Sequence, residues 1–399
     1  MADEIRAVVA VPFMSNGKPL SVVGLTIGVA AVGIEALFIA PLLGDIATTF
    51  NTTAARAAWA VSVYGLTLAI VAPVIALAGS QISRKTTMTT GMIVFILAGL
   101  LCAFAAKFWV LMLARALCGA AAGAFLPACY AYVGDAAPYA DRAKVMGRVM
   151  AGWSLALIVG IPMGGLMAQM WGWRSAFIAV SMVGVIAALL IIRLPAPIHS
   201  TAQGARSAAT ESFRRIFRDG IPLLLAVNFF DVLSFYGVYT FLGVVVRTRM
   251  GLGSAGFGVL VLCYGVGLLF STLNARLLDR WGKERVLTIG LSALAVQIAL
   301  LPAAGLPVTL SVFMALWGVS QGFVQTGTAT LVTEASGGAR GLAMALMSCG
   351  TYLAVGLGSL SGGWLLESYG FTALAGAGAG AVLMALLLLR LYITRLGAP

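Results

Sequence analysis

Charge is the scarce ingredient of this chain: Asp, Glu, Lys and Arg make up 10% of its 399 residues, while 61% are apolar types. Soluble domains carry about 25% charged residues, and at a mean hydropathy of +1.02 one aqueous core could not hide this much apolar surface. The chain belongs in lipid. Histidine occurs once, as His199 in a polar stretch, which excludes histidine proton relays and histidine metal sites within the membrane. The five cysteines, Cys102, Cys118, Cys129, Cys263 and Cys349, are odd in number, lack C-x-x-C spacing and fall in apolar runs. They read as small packing residues and not as a disulfide or zinc framework. No G-x-x-x-x-G-K-[ST] or H-E-x-x-H occurs, so ATP-driven transport and zinc-dependent intramembrane hydrolysis lose their support. "AVVAVPFM" is too short for a span and no small-residue cleavage site follows it, so residues 1–19 are expected to be a retained cytoplasmic tail and not a signal peptide.

What the chain does have is long apolar runs. Crossing a bilayer takes about 20 apolar residues, and twelve runs reach that length: 20–43, 57–79, 88–106, 109–133, 145–169, 175–194, 220–246, 256–275, 286–304, 308–332, 341–366 and 370–390. The expected fold is an all-α membrane protein of twelve transmembrane helices. With both termini inside, every Lys and Arg falls on the inner face except Arg56, Lys107, Arg174, Arg247 and Arg249 outside and Arg115 within a span, the bias that keeps short loops cytoplasmic. The net charge of +12 is then a topology signal plus attraction to anionic inner-leaflet lipid. A nucleic-acid partner would need these charges gathered on one folded face, and they are spread along the chain.

The polar stretch "PAPIHSTAQGARSAATES" marks a linker at residues 195–219, between an N-terminal half at 20–194 and a C-terminal half at 220–390, with a tail at 391–399. A repeat runs across it. "SVYGLTL" faces "LCYGVGL", with Tyr64 and Tyr264 separated by 200 residues, and "VGIPMGGLMAQMWGWRSAF" faces "LGSLSGGWLLESYGFTAL" at a separation of 198. Asp135 followed by Arg142 matches Glu334 followed by Arg340. Two six-helix halves in parallel order account for this.

Between the second and third helices of the later half stands "ARLLDRWGKERVL", the densest run of charge in the chain, and "SQISRK" occupies the same place in the first half. "LLDRWGKERVL" resembles the G-x-L-a-D-R-x-G-R-R signature of the major facilitator superfamily, a likeness that extends over the chain through helix count, linker and repeat. The resemblance implies a conformational latch on the cytoplasmic side formed by Asp279, Arg280, Gly282 and Lys283. In the first half Ser80, Gln81 and Ser83 replace the Asp, Arg and Gly, leaving Arg84 and Lys85. Independently of family, Asp279 just before a new helix suits the helix dipole, by about 0.3–1 kcal/mol; a solvated positive-inside turn is the plainer reading. "LARALCGAAAGAF" resembles the motif whose Arg takes part in proton coupling, which points to Arg115, while Gly119 and Gly123 form a small-x-x-x-small face for close helix approach. "VGIPMGG" is similar to the antiporter motif G-x-x-x-G-P-x-x-G-G, implying that role for Gly160, Pro162, Gly164 and Gly165. Ala156 departs from that motif and the Pro comes one position late; tight packing is the competing account of these glycines. With "WGWRSAF" the segment looks most like bacterial drug and sugar efflux permeases of the drug:proton antiporter branch.

Three charged residues fall deep inside spans, away from their ends: Glu35, Arg115 and Asp231. At mid-helix Asp or Arg costs about 2.5–3.5 kcal/mol on insertion scales, so each should face a cavity or a partner. A carboxylate poised between burial and a nearby Arg can load and release a proton, and Glu35, with no polar neighbour in "GIEALF", is the preferred proton site. A static ion pair with Arg115 is the structural alternative. Asp231 lies three residues after Asn228, on one helix face, as an alternative proton site or a substrate contact. Phe235 and Tyr239 continue that helix, and Trp317, Gln321, Gln325 and Thr328 form one face of the tenth. Amides and aromatics with few charges suit a mid-sized organic solute; helix–helix hydrogen bonding competes for the glutamines.

The combined reading is a proton-coupled secondary transporter that alternates access by rocking its halves about a midplane site. It is expected to export a small drug-like, amphipathic or sugar-like compound, with uptake of a metabolite as the rival within transport and a non-transporting receptor or scaffold outside it. The expected partners are the solute, protons and the bilayer, with no nucleic acid, no metal and no cofactor beyond the proton gradient. A monomer in the bacterial inner membrane with both termini cytoplasmic completes the expectation.

Overall fold

The computed structural model describes residues 13–15, 18–20, 22–78, 83–138, 141–195, 220–337 and 340–396. Ser80, Gln81, His199, the expected linker beyond residue 195 and most of the expected N-terminal tail lie outside the described residues. Apart from an antiparallel pair of three-residue strands, Phe13–Ser15 and Lys18–Leu20, the described chain is helical. Its spans are α1 (Val23–Leu37, continued by Ile39–Thr49), α2 (Trp59–Ala78), α3 (Arg84–Ala103), α4 (Phe108–Ala136), α5 (Arg142–Leu155 to Ile161–Trp171), α6 (Trp173–Ile192), α7 (Ile221–Met250), α8 (Ser254–Leu273), α9 (Lys283–Leu300) and α10 (Pro307–Ala335). A last helical run covers Arg340–Leu396. Among the described residues ten helices are long and apolar enough to cross a membrane, or eleven with the bent α1 counted as one span. The last run has 57 residues, about 85 Å of helix, which is more than twice the roughly 30 Å hydrocarbon core. It divides at Gly370, whose φ of 80° is a left-handed conformation open to glycine, into α11 (340–369) and α12 (371–396). Counting both gives the twelve expected spans. The final helix continues to Leu396, past the boundary expected at residue 390, and the first helix starts at Val23, not at residue 20.

Glycine sets the repeated packing. A Cβ on Gly119 of α4 would overlap the Tyr64 carbonyl of α2, and one on Gly318 of α10 would overlap the Tyr264 carbonyl of α8. One turn on, a Cβ on Gly123 would lie 3.2 Å from Leu68 O, while one on Gly322 would lie 3.0 Å from the Leu268 side chain and overlap Ser271 Oγ. The same backbone-to-backbone contact is thus built in each half, about 200 residues apart. The chain ends this repeat with ion pairs at equivalent places: Arg84 at the start of α3 pairs with Asp135 at the end of α4, and Lys283 at the start of α9 pairs with Glu334 at the end of α10.

Prolines shape the seam between the halves. Pro41 has no N–H for the carbonyl of Leu37, four residues back, and α1 bends there by 50°. Tyr239 of α7 donates its hydroxyl to that carbonyl at 3.2 Å. Pro73 within α2 likewise vacates the Ala69 carbonyl, and the Cys349 thiol of α11 donates to it at 3.6 Å. Freed backbone groups inside a bilayer need such substitutes. Further contacts across the seam gather at the end away from Arg84 and Lys283: Arg247 pairs with Asp45, Ser254 Oγ donates to Gly165 O at 3.0 Å, Ala55 N donates to Glu367 at 3.3 Å, and Ser359 Oγ donates to Ala58 O at 3.2 Å. A cleft of about 400 Å³ opens beside them, lined in part by Asp45, Thr49, Gln169, Trp173 and Arg247.

Overpacking a tight helix contact typically costs about 1–3 kcal/mol. Gly119→Val and Gly318→Val are each expected to lower the thermal unfolding midpoint of the purified protein in detergent by several degrees. Gly376→Ala, where a Cβ meets nothing within 4 Å, should leave it unchanged. Equal midpoints for all three would remove the glycine contacts as the organising feature of each half.

Candidate functional site

Glu35 stands one turn before the bend of α1, and Arg115 rises from α4 beside it. Arg115 Nη1 pairs with Glu35 Oε1, with the guanidinium 0% and the carboxylate 1% exposed. Arg115 Nε donates to Ala60 O at 2.9 Å, and the guanidinium carbon lies 4.5 Å from the centre of the Tyr64 ring, within the range of a cation–π contact. The α2 backbone reaches Arg115 because Gly119 lets α4 approach so closely. Glu35 Oε2 and Arg115 Nη2 have no hydrogen-bond partner among the described residues. Both residues therefore hold their charge-balancing contact and still have one polar atom each to offer.

The other buried acid is differently housed. Asp231 Oδ2 accepts from Gln321 Nε2 at 2.6 Å, and Gln321 Oε1 accepts from Trp317 Nε1 at 3.3 Å, so α10 holds the α7 carboxylate through a neutral amide. Asp231 Oδ1 has no partner among the described residues. One turn along α7, Phe235 stacks on Tyr239 with centroids 5.1 Å apart and meets Trp317 at 5.5 Å and Tyr264 at 5.6 Å. Asn228 faces elsewhere and donates to Thr351 Oγ1 of α11 at 2.8 Å.

The expected residues thus separate into two clusters. Glu35 and Arg115 meet, as do Asp231, Phe235, Tyr239, Trp317 and Gln321, while Gln325 is exposed although Trp317, Gln321 and Thr328 on the same helix face are buried. In the charged loop, Gly282 has φ 87° and turns the short helix Arg276–Trp281 into α9. Asp279 is 77% exposed and lies 3.9 Å from Lys283; Lys283 is the residue that reaches a neighbouring helix, at Glu334. Arg280 is exposed. The glycine motif of α5 makes contacts: residues Ala156–Gly160 form a π segment, a Cβ on Gly160 would overlap Ile34, a Cβ on Gly165 would lie 2.5 Å from Ser254 O, and Pro162 packs against Gly258 of α8. Gly164 meets nothing within 4 Å. Sequence reasoning missed Tyr64, Tyr264 and Thr351 as members of these clusters; the 200-residue spacing of the two tyrosines was the signal that marked two of them.

The family model described as Major Facilitator Superfamily matches residues 25–272 and again 225–398. The uncharacterized MFS-type transporter YwfA of Bacillus subtilis (strain 168) is 34% identical over 362 residues, covering 89% of this chain and 87% of that protein. Crystal structures of a bacterial homolog of the human lysosomal transporter Spinster share the fold. The inward-facing, unoccupied form superimposes with a TM-score of 0.68 at 14% identity and the inward-facing, occupied form with 0.72 at 13%, each over 94% of this chain and 95% of that one. These relatives are transporters and not enzymes.

Removing one member of a buried ion pair costs about 3–5 kcal/mol, whereas replacing both by apolar groups is often neutral. Arg115→Met is accordingly expected to destabilise the protein strongly, and the double variant Glu35→Leu with Arg115→Met to recover most of the loss. Thermal unfolding in detergent measures both. A double variant no better than the single one would mean that the two charges do not balance each other.

Proposed function

We propose, for a chain that belongs to the major facilitator superfamily of membrane transporters, that it is a proton-coupled antiporter exporting a small organic compound by alternating access. The observation that carries this reading is the Glu35–Arg115 pair, the one buried ion pair among the described residues. A proton arriving on Glu35 cancels the carboxylate charge and leaves Arg115 unbalanced in an apolar interior. That state is costly, and a rearrangement of α1 against α4 relieves it. Proton loading is thereby tied to a change in helix packing, which is what coupling requires. Asp231, Phe235, Tyr239, Trp317 and Gln321 supply the substrate-facing side chains of α7 and α10.

In the proposed cycle the seam contacts around Arg247 and Asp45 close the outer end. This agrees with a chain whose termini are cytoplasmic and whose structural neighbours are described as inward-facing. The α5 segment from Gly160 to Gly165, packed on α1 and α8, links the proton pair to the other half. The loop from Asp279 to Lys283 steadies the inner end through Glu334. The protein works as a monomer in a bacterial inner membrane, with the proton gradient as its energy source.

Glu35→Gln keeps the shape of the side chain and cannot cycle a proton. In proteoliposomes with an imposed pH gradient, a panel of organic solutes is expected to include one that wild type moves against its gradient and that Glu35→Gln fails to accumulate. Retention of full gradient-driven transport by Glu35→Gln would place the proton elsewhere.

A further inference from the structure

The two buried acids differ in one respect that bears on what the protein carries. Glu35 has a resident cation, Arg115. Asp231, buried to the same degree at 2% exposure, is given only the neutral amide of Gln321, and its second oxygen has no partner among the described residues. Among the described residues one buried Arg faces two buried acids, which leaves one carboxylate of the membrane interior without a buried cation among them. An isolated buried carboxylate is expensive, and such groups pair or take up a cation.

The surroundings of Asp231 narrow the kind of cation. Phe235, Tyr239, Tyr264 and Trp317 come from three helices, α7, α8 and α10; Phe235 lies 5.1–5.6 Å from each of the other three rings, and Tyr264 lies 6.2 Å from Trp317. Phe235 sits one helical turn from the acid, and Trp317 is tied to it through Gln321. Aromatic faces attract organic ammonium groups through the ring quadrupole, more strongly when water is excluded. They give nothing comparable to a small hydrated metal ion, which needs several oxygen ligands; among the described residues no group of three or more His, Cys, Asp or Glu stands together.

We propose that Asp231 with the rings of Phe235, Tyr239, Tyr264 and Trp317 is the recognition site for an organic monocation, an amine or quaternary ammonium carrying an apolar or aromatic body. The substrate supplies at Asp231 the positive charge that Arg115 supplies at Glu35. The rings pack on one another in the present state, so entry of the cation parts α7 from α8 and α10. This assignment deepens the transporter reading above and rests on it for the word substrate. The binding itself is independent of any proton coupling.

The test is equilibrium binding to the full chain in detergent without a gradient, by isothermal titration. The probes are benzyltrimethylammonium, benzenesulfonate and benzyl alcohol, which share a ring and differ in charge. Wild type is expected to bind the cation and neither of the others. Asp231→Asn, which keeps a hydrogen-bonding partner for Gln321, should weaken cation binding at least tenfold, and Phe235→Leu should weaken it severalfold while leaving the acid in place. Glu284→Gln, an exposed acid at the start of α9, should bind like wild type. Absence of cation binding in wild type, equal binding of all three probes, or unchanged affinity in both Asp231→Asn and Phe235→Leu would overturn the proposal. Should Asp231→Asn not fold, the probe series and Phe235→Leu decide. Cation binding that depends on Asp231 in a protein showing no pH-driven transport would uphold this site and refute the proton coupling alone.

Discussion

A charge placed in hydrocarbon has to be balanced close at hand, and the Glu35–Arg115 pair shows how much of the architecture follows from that need. The pair joins α1 to α4. Arg115 also reaches the α2 carbonyl of Ala60 and the face of Tyr64, which is possible because Gly119 has no side chain to hold the two backbones apart. Close helix contact is therefore the condition under which a guanidinium can be satisfied by backbone and ring together. The later half keeps the contact, with Gly318 against Tyr264, and changes the chemistry. Where the first half sets an Arg beside its acid, the second sets an amide and aromatic rings. One scaffold used twice thus provides one self-balanced site and one that is not.

Long-range order of this kind was legible where a residue type has a single common reason to be present. Apolar runs marked the spans, the tyrosine and glycine spacings marked the repeat, and the three intramembrane charges marked the buried clusters. What was not legible were choices between neighbours of similar chemistry. Asp279 and Lys283 both occupy the charged loop, and only the three-dimensional path of α10 shows that Lys283 finds Glu334 while Asp279 points to solvent. Gln325 shares a face with Gln321, but helix faces run the length of a bundle and burial does not, so one amide meets Asp231 and the other is exposed. The π segment at Ala156–Gly160 lies where α5 packs between Ile34 and α8, a tertiary circumstance that no sequence pattern displays. Pro41 stands within the run 20–43, which reads as a single span; neither the bend it makes in α1 nor its partner across the seam was legible there.

That partner makes Tyr239 a side chain with two duties. Its ring stacks on Phe235 in the cluster next to Asp231, while its hydroxyl closes the seam at Leu37 O. Because Pro41 has already removed the helical donor for that carbonyl, the bond across the seam can be broken and remade without unravelling any turn of α1. The Ala69 carbonyl behind Pro73, met by Cys349, is built the same way. The halves are therefore buttoned together through sockets that belong to neither helix's internal ladder, and one of the buttons is sewn to the aromatic cluster. A ring that tilts pulls on its own hydroxyl.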